Sequence, residues 1–220
     1  MKIIYIYDAL CGWCYGFAPT MRTFFDKYKS EFETIEVISG GMITGNRIGK
    51  IGEVAPYIKS AYKDVENRTG VTFGEKFLKD ILEEGSSIFT SIPPSIALSV
   101  FKREAEQNPT LAGDKNEKLL HFAEDLQSLI YFDGIEPQDY SKYGELAEKY
   151  GLEKKDFVEK MNHPEFEKLA RQDFQRSQDF GVNGFPTVVI QKGEEYYLFA
   201  RGFVDLETLE KRFDSMKASV

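Results

Sequence analysis

The stretch DALCGWCYGF, Asp8 to Phe17, holds both cysteines of a 220-residue chain. Two thiols three positions apart cannot act as a long-range staple. They do redox chemistry, they hold a metal with help from elsewhere, or they coincide by chance. Upstream, KIIYIY (2–7) is a run of β-branched and aromatic residues and reads as a strand. Downstream, Ala18, Met21, Phe24, Phe25 and Tyr28 recur at three- and four-residue intervals, with Arg22, Asp26 and Lys29 between them. That is the period of an amphipathic helix. The cysteines therefore stand where a strand turns into a helix.

A helix amino terminus carries partial positive charge, and a thiol placed there ionises more easily. The order of residues predicts an exposed Cys11 at that end. It predicts a Cys14 one turn in, shielded by Tyr15 and Phe17. Such an asymmetry suits exchange: Cys11 attacks a disulfide and Cys14 resolves the mixed disulfide. A zinc site would need two further ligands. The two histidines, His121 and His163, lie far apart and without ligand spacing, so no metal is expected. A Cys–His protease is excluded by the lack of a local His signature or an oxyanion-hole motif.

Composition narrows the field. The chain is long enough to bury a core without staples, and 42% of it is hydrophobic. The net charge is −8, with acids spread along the chain. That argues against a nucleic-acid surface, which draws on clustered Lys and Arg. The amino terminus has too short an apolar run for a secretory signal, and no stretch approaches a membrane span. The expectation is a cytoplasmic protein, monomeric by default. In that compartment a CxxC pair is catalytic or metal-binding rather than structural.

TIEVIS (34–39) reads as a second strand closed by Gly40-Gly41, completing a right-handed βαβ unit. From about 45 to 180 the strand signal nearly vanishes and apolar stripes at helical spacing follow one another. Ser91-Ile-Pro-Pro-Ser95 reads as a break, with Ser95 capping the next helix. Asn162 reads as a cap close before Pro164, and Gly181 as a helix stop. PTVVIQ (186–191) and YYLFAR (196–201) read as a hairpin, and Asp205 as the cap of a last helix. The fold class is α/β: a small sheet domain, 1–44 with 181–220, split by an all-helical insertion, 45–180.

The second chemical signal is DFGVNGFPTVVI (179–190). Phe185 is pushed extended by the following proline, and Pro186 should open the strand. An X-Pro bond is the one peptide bond prone to be cis. A cis Pro186 would turn the N–H and C=O of Phe185 towards an extended peptide; a plain trans proline ending a loop is the alternative. Asp8 is read as capping the turn, with a proton relay as the other option. Gly40-Gly41-Met42 either lines the groove or is a plain turn.

These residues together resemble the DsbA-like branch of the thioredoxin superfamily. The strand before CGWC, the helical middle and GVNGFPT before a closing β-β-α carry the resemblance. Within that branch the chain is most similar to FrnE-like disulfide isomerases, whose motif is D-x-x-C-x-W-C-Y. The resemblance implies a thioredoxin-like fold (β-α-β … β-β-α) with a helical insertion roofing a groove. It implies a redox-active Cys11–Cys14 pair facing a cis Pro186. Trp13, Phe185 and Pro186 would bind substrate, with Asp8, Gly12, Tyr15, Gly184 and Thr187 in support. The substrate would be a disulfide-containing protein or a small thiol, and no resident cofactor is implied. DsbA itself has Pro-His between its cysteines, where this chain has Gly12-Trp13. Trp13 cannot stabilise a thiolate by charge, so a less oxidising reductase or isomerase is expected. Two rival readings remain open. One is a glutathione-using isomerase or transferase of the 2-hydroxychromene-2-carboxylate isomerase or kappa-class kind, with glutathione as co-substrate. The other is a non-catalytic adaptor.

Overall fold

Strand β1 (Lys2–Tyr7) is buried along nearly its whole length, as its unbroken apolar sequence requires of a strand covered on both faces. The computed structural model describes residues 1–218, so the last two residues of the expected 181–220 segment lie outside the described residues. Helix α1 (Gly12–Tyr28) returns the chain to β2 (Thr34–Ser39), which pairs parallel to β1 with Ile3 opposite Ile35. The short strands β3 (Gly49–Lys50) and β4 (Ile88–Phe89) pair with each other. Between them lie α2 (Ala55–Thr69) and a π-helical turn, Phe77–Glu83. Then come α3 (Ile92–Gln107), α4 (Pro109–Ala112), α5 (Lys115–Tyr131), α6 (Tyr140–Glu148), α7 (Lys154–Met161) and α8 (Pro164–Asp179). The chain closes with β5 (Thr187–Lys192), β6 (Glu195–Arg201) and α9 (Leu206–Ala218).

The four long strands form one sheet in the order β2-β1-β5-β6, with β5 antiparallel to both neighbours. Alternation along β1 separates two apolar clusters. Ile3, Tyr5 and Tyr7 join the main core, while Ile4 and Ile6 join Ile38 and Val189 on the other face. Helix α1 packs against α2, α5 and α9, and α8 against β2. The main core is continuous from the sheet into the helices of the 45–180 segment. Phe24 and Phe213 meet edge-on at 5.5 Å and tie α9 to α1. Such a pair contributes roughly 0.5–1.5 kcal/mol beyond its burial.

Several local expectations need correction. Residues 91–95 are not a break: α3 begins at Ile92 and carries Pro93 and Pro94 in its first turn, where a missing N–H costs nothing. Ser95 is therefore inside the helix. His163, not Asn162, caps α8, its Nδ1 accepting the N–H of Glu165 at 3.4 Å. The 45–180 segment is not free of strands, since β3 and β4 lie in it. Strand β5 starts at Thr187, one residue after the proline. Asp205 does cap α9, accepting the Thr208 N–H at 2.8 Å. Among the described residues no helix is long and apolar enough to cross a membrane.

Candidate active site

Cys11 is the residue that caps α1, with extended backbone (φ −97, ψ 110). Its carbonyl accepts the N–H groups of Cys14 and Tyr15, and its own N–H donates to the Asp8 carbonyl at 3.0 Å. Both sulfurs are free thiols. The expected asymmetry is present in a muted form. Cys11 is only 7% exposed rather than open, because the wall of α2 and the Phe185 backbone close over it, and Cys14 is fully buried. Burial pushes the Cys14 thiol well up, and its hydrogen bond with Cys11 adds to that. Cys14 is thus held as a protonated thiol beneath its partner.

The distant proline reaches this point. The Phe185–Pro186 bond is cis, and the Cys11 thiol donates to the Phe185 carbonyl at 3.6 Å. Residue 185 meets the sulfur through its backbone. Its ring turns the other way, onto Gly40, where a Cβ would lie 2.2 Å from it. Gly202 N–H donates to the Pro186 carbonyl at 2.7 Å. The Thr187 hydroxyl donates to the Gly184 carbonyl at 2.8 Å, closing the turn before β5.

Asp8 does more than cap a turn. Its Oδ1 accepts the Leu10 N–H and the Ser91 hydroxyl, both at 2.9 Å, and its Oδ2 accepts the Met42 N–H at 2.7 Å. Ser91 in turn accepts the Ile43 N–H. One buried carboxylate therefore fixes the cysteine turn, the segment after β2 and the start of α3 to one another. Burial raises the Asp8 carboxyl, against the N–H and hydroxyl donors that hold it down. Gly41 makes the turn into this segment at φ +68, a region that favours glycine. Tyr15 packs on Phe73 and Tyr131, its hydroxyl donating to the Thr72 carbonyl at 2.8 Å. Tyr131 donates to the Leu10 carbonyl at 2.5 Å.

A cleft of about 270 Å³ opens beside Cys11, between Trp13, the Met42–Ile43 segment and one face of α2. Gly12 lines it, and a Cβ there would only touch Phe73 at 3.6 Å. Among the described residues no charged side chain lines the cleft. At its rim Val54 is 49% exposed and Tyr57 72%. Trp13 is bracketed by Phe203, whose ring centroid is 6.5 Å away, and by the Arg68 guanidinium, 5.2 Å over the indole. The sequence pattern gave Trp13 but not Ser91, the α2 face or Arg68. The α2 stripe 54, 57, 58, 61, 65 was available as helical spacing, but a stripe alone does not say that its target is a half-open cleft. Far from the cysteines, Asp26, Glu117 and His121 bring one ligand atom each within 4.8 Å of one another. Glu117 is already paired with Lys29 there.

Residues 101–214 match the family model of the DSBA-like thioredoxin domain. No curated protein matches the chain. Among solved structures it is similar to a candidate protein disulfide isomerase from Nitrosomonas europaea, with 23% identity, a TM-score of 0.79, and coverage of 99% of this chain and 98% of that one. It is also similar to the cytosolic disulfide reductase DsbM from Pseudomonas aeruginosa, with 20% identity, a TM-score of 0.76 and full coverage of both chains. A 2-hydroxychromene-2-carboxylate isomerase matches at 12% identity and a TM-score of 0.62, over 100% of this chain and 96% of that one. Identities this low establish a shared fold. With more than half of its length matched by the family model and the whole of it superposable on these folds, the chain belongs to the DSBA-like thioredoxin domain family.

Proposed function

We propose that the chain is a protein-disulfide oxidoreductase acting as a disulfide reductase or isomerase through Cys11 and Cys14. The observation that carries this reading is the Cys11 thiol at the start of α1, beside an apolar cleft and against the Phe185 carbonyl. The Cys11 thiolate attacks one sulfur of a substrate disulfide. A new S–S bond forms, the substrate bond breaks, and one substrate thiolate leaves with the electron pair. Cys14 then attacks Cys11 as its proton passes to the departing substrate sulfur. The second substrate sulfur leaves as a thiol, and the pair is oxidised while the substrate gains two electrons. A thiol reductant restores the dithiol. The electrons are held in the cysteine pair, so no resident cofactor or metal is needed.

Trp13 and the cleft would receive the group next to the scissile disulfide, and the Phe185 backbone beside Pro186 would pair with an extended chain. Gly12, Tyr15, Asp8, Gly184 and Thr187 shape the turns that hold these groups. In this reading residues 1–44 and 181–220 form the thioredoxin-like unit, and 45–180 supplies the roof of the cleft. The DsbM neighbour is described as cytosolic and has also been solved with glutathione. That supports a cytoplasmic protein acting on disulfide-containing proteins or small thiols, with glutathione as one reductant.

Reduction of insulin disulfides by the wild type and by Cys11→Ser tests the proposal. Turnover by the wild type and none by the variant is expected. An inactive, folded wild type would overturn it.

A further inference from the structure

Trp13 cannot carry charge, and the cleft it borders is uncharged. A cation nevertheless stands over the Trp13 ring, one of the cleft's walls. Arg68 lies on α2 at the helical spacing of Ala61 and Val65, both of which line the cleft. Its guanidinium lies 5.2 Å over the Trp13 ring. Asp64, one turn earlier, is at the spacing for an ion pair. Among the described residues, however, Arg68 pairs with no carboxylate, and its contact is the indole. Stacking uses the face of a guanidinium and leaves the N–H fork at its edge free. That fork is built to accept a carboxylate in two parallel hydrogen bonds. The indole it covers belongs to Trp13, two residues after Cys11 in the chain, and lines the same cleft as that cysteine.

We infer that Arg68 is a specificity-determining residue that makes the site prefer disulfides whose thiol moiety carries a carboxylate. This rests on the thiol–disulfide reading above. The rest of the chain works against such substrates, since its net charge is −8. Anion preference therefore has to be set locally, and the uncharged cleft offers no other group to set it.

The test compares three small disulfides of different charge: oxidised glutathione, bis(2-hydroxyethyl) disulfide and cystamine. Pre-reduced protein is mixed with each at low ionic strength, quenched with acid, and the loss of free thiols is followed by mass. The quantity read is the ratio of each charged disulfide's rate constant to that of the neutral one. In Arg68→Glu the glutathione ratio is expected to fall about tenfold, equivalent to about 1.4 kcal/mol, and the cystamine ratio to rise. The size follows from an exposed pair being worth up to about 1 kcal/mol, with reversal replacing attraction by repulsion. Arg68→Lys keeps the charge but not the fork, so its glutathione ratio should fall between those of the wild type and Arg68→Glu, and added salt should erode the difference. Ratios that agree within twofold between the wild type and Arg68→Glu would overturn the inference and leave the oxidoreductase reading standing. A wild type that reacts with none of the three would overturn both. Arg68 is exposed, so the variants are expected to fold.

Discussion

Two hollows of this molecule differ in size and in chemistry, and the smaller one holds the thiol. The larger, about 430 Å³, lies between β2, α3 and α8 and is walled by Lys2, Glu36, Lys102, Asp173 and Arg176. These five charges pair among themselves. Lys2 and Arg176 both pair with Glu36, and Lys102 pairs with Asp173 at 2.5 Å. Asp173 also accepts the Ser39 N–H at the end of β2. The smaller hollow has apolar walls, exposed Val54 and Tyr57 at its rim, and a sulfur at its floor. Between these two, volume would favour the wrong one. A hollow filled by mutually satisfied ion pairs is scaffolding, whereas an apolar cleft left open beside a nucleophile has a vacancy in its chemistry.

The sharpest way to break this contrast is to remove a residue from each side. Cys11→Ser should lower insulin-reduction activity at least about a hundredfold, since no other thiol has access to substrate. Asp173→Ala should instead lower stability by about 2–3 kcal/mol in chemical denaturation, because it strands Lys102 and the Ser39 N–H. Its activity per folded molecule should stay within about twofold. If Asp173→Ala abolished activity in folded protein, the larger hollow would have to be read as part of the site.

A third test moves the cleft wall without touching the thiols. A Cβ on Gly16 would come within 2.7 Å of Thr69 and 2.8 Å of Val65, so α1 and α2 meet through the bare glycine. Gly16→Ala should cost about 1–3 kcal/mol by overpacking. It should also slow reaction with bulky disulfides more than with small ones, as competing disulfide-exchange rates would show. Equal slowing would mean that α2 does not shape access.

The smallest expected effect separates a buried carboxylate from a half-buried one by sign. Burial pulls Glu36 upward, but hydrogen bonds and charge from Arg176 and Lys2 outweigh it and bring it down to about 2. Its contribution is present above the ordinary glutamate range and is lost as pH falls from about 4.5 through about 2. Asp8 is shifted the other way by burial, so it favours folding most when protonated and less as pH rises through its raised value. Glu36→Gln should therefore flatten the acid limb of a stability–pH curve by about 1–2 kcal/mol after solvent screening. An unchanged limb would show that the ion pairs at β2 contribute nothing to the fold.

Much of the frame was legible in the sequence because it is local. KIIYIY, TIEVIS and YYLFAR carry their own period or residue types, and Asp205 announces a helix start. CGWC after a strand and Gly-Phe-Pro-Thr before one were enough to bring positions 11 and 186 together. What escaped is either too short or too distant to leave a pattern. Strands β3 and β4 have two residues each, below any periodicity. Pro93-Pro94 reads equally well as a break or as a first helical turn, and only the packing of α3 decides between them. The turn at 77–83 shows helical apolar spacing, which does not distinguish α- from π-winding. Ser91 meets Asp8 across 83 positions, and Arg68 meets Trp13 across two helices. Neither contact is written in the neighbourhood of either partner.

The chain has a single tryptophan, and in the sequence it stands between the two cysteines. Its indole is bracketed by Phe203 and Arg68, so any change at Cys11 or Cys14 alters the surroundings of the one dominant fluorophore. Oxidation, a bound thiol and the relaxation that follows should each register in its emission. The protein thus carries a built-in optical gauge of its own redox state, readable in real time without a label.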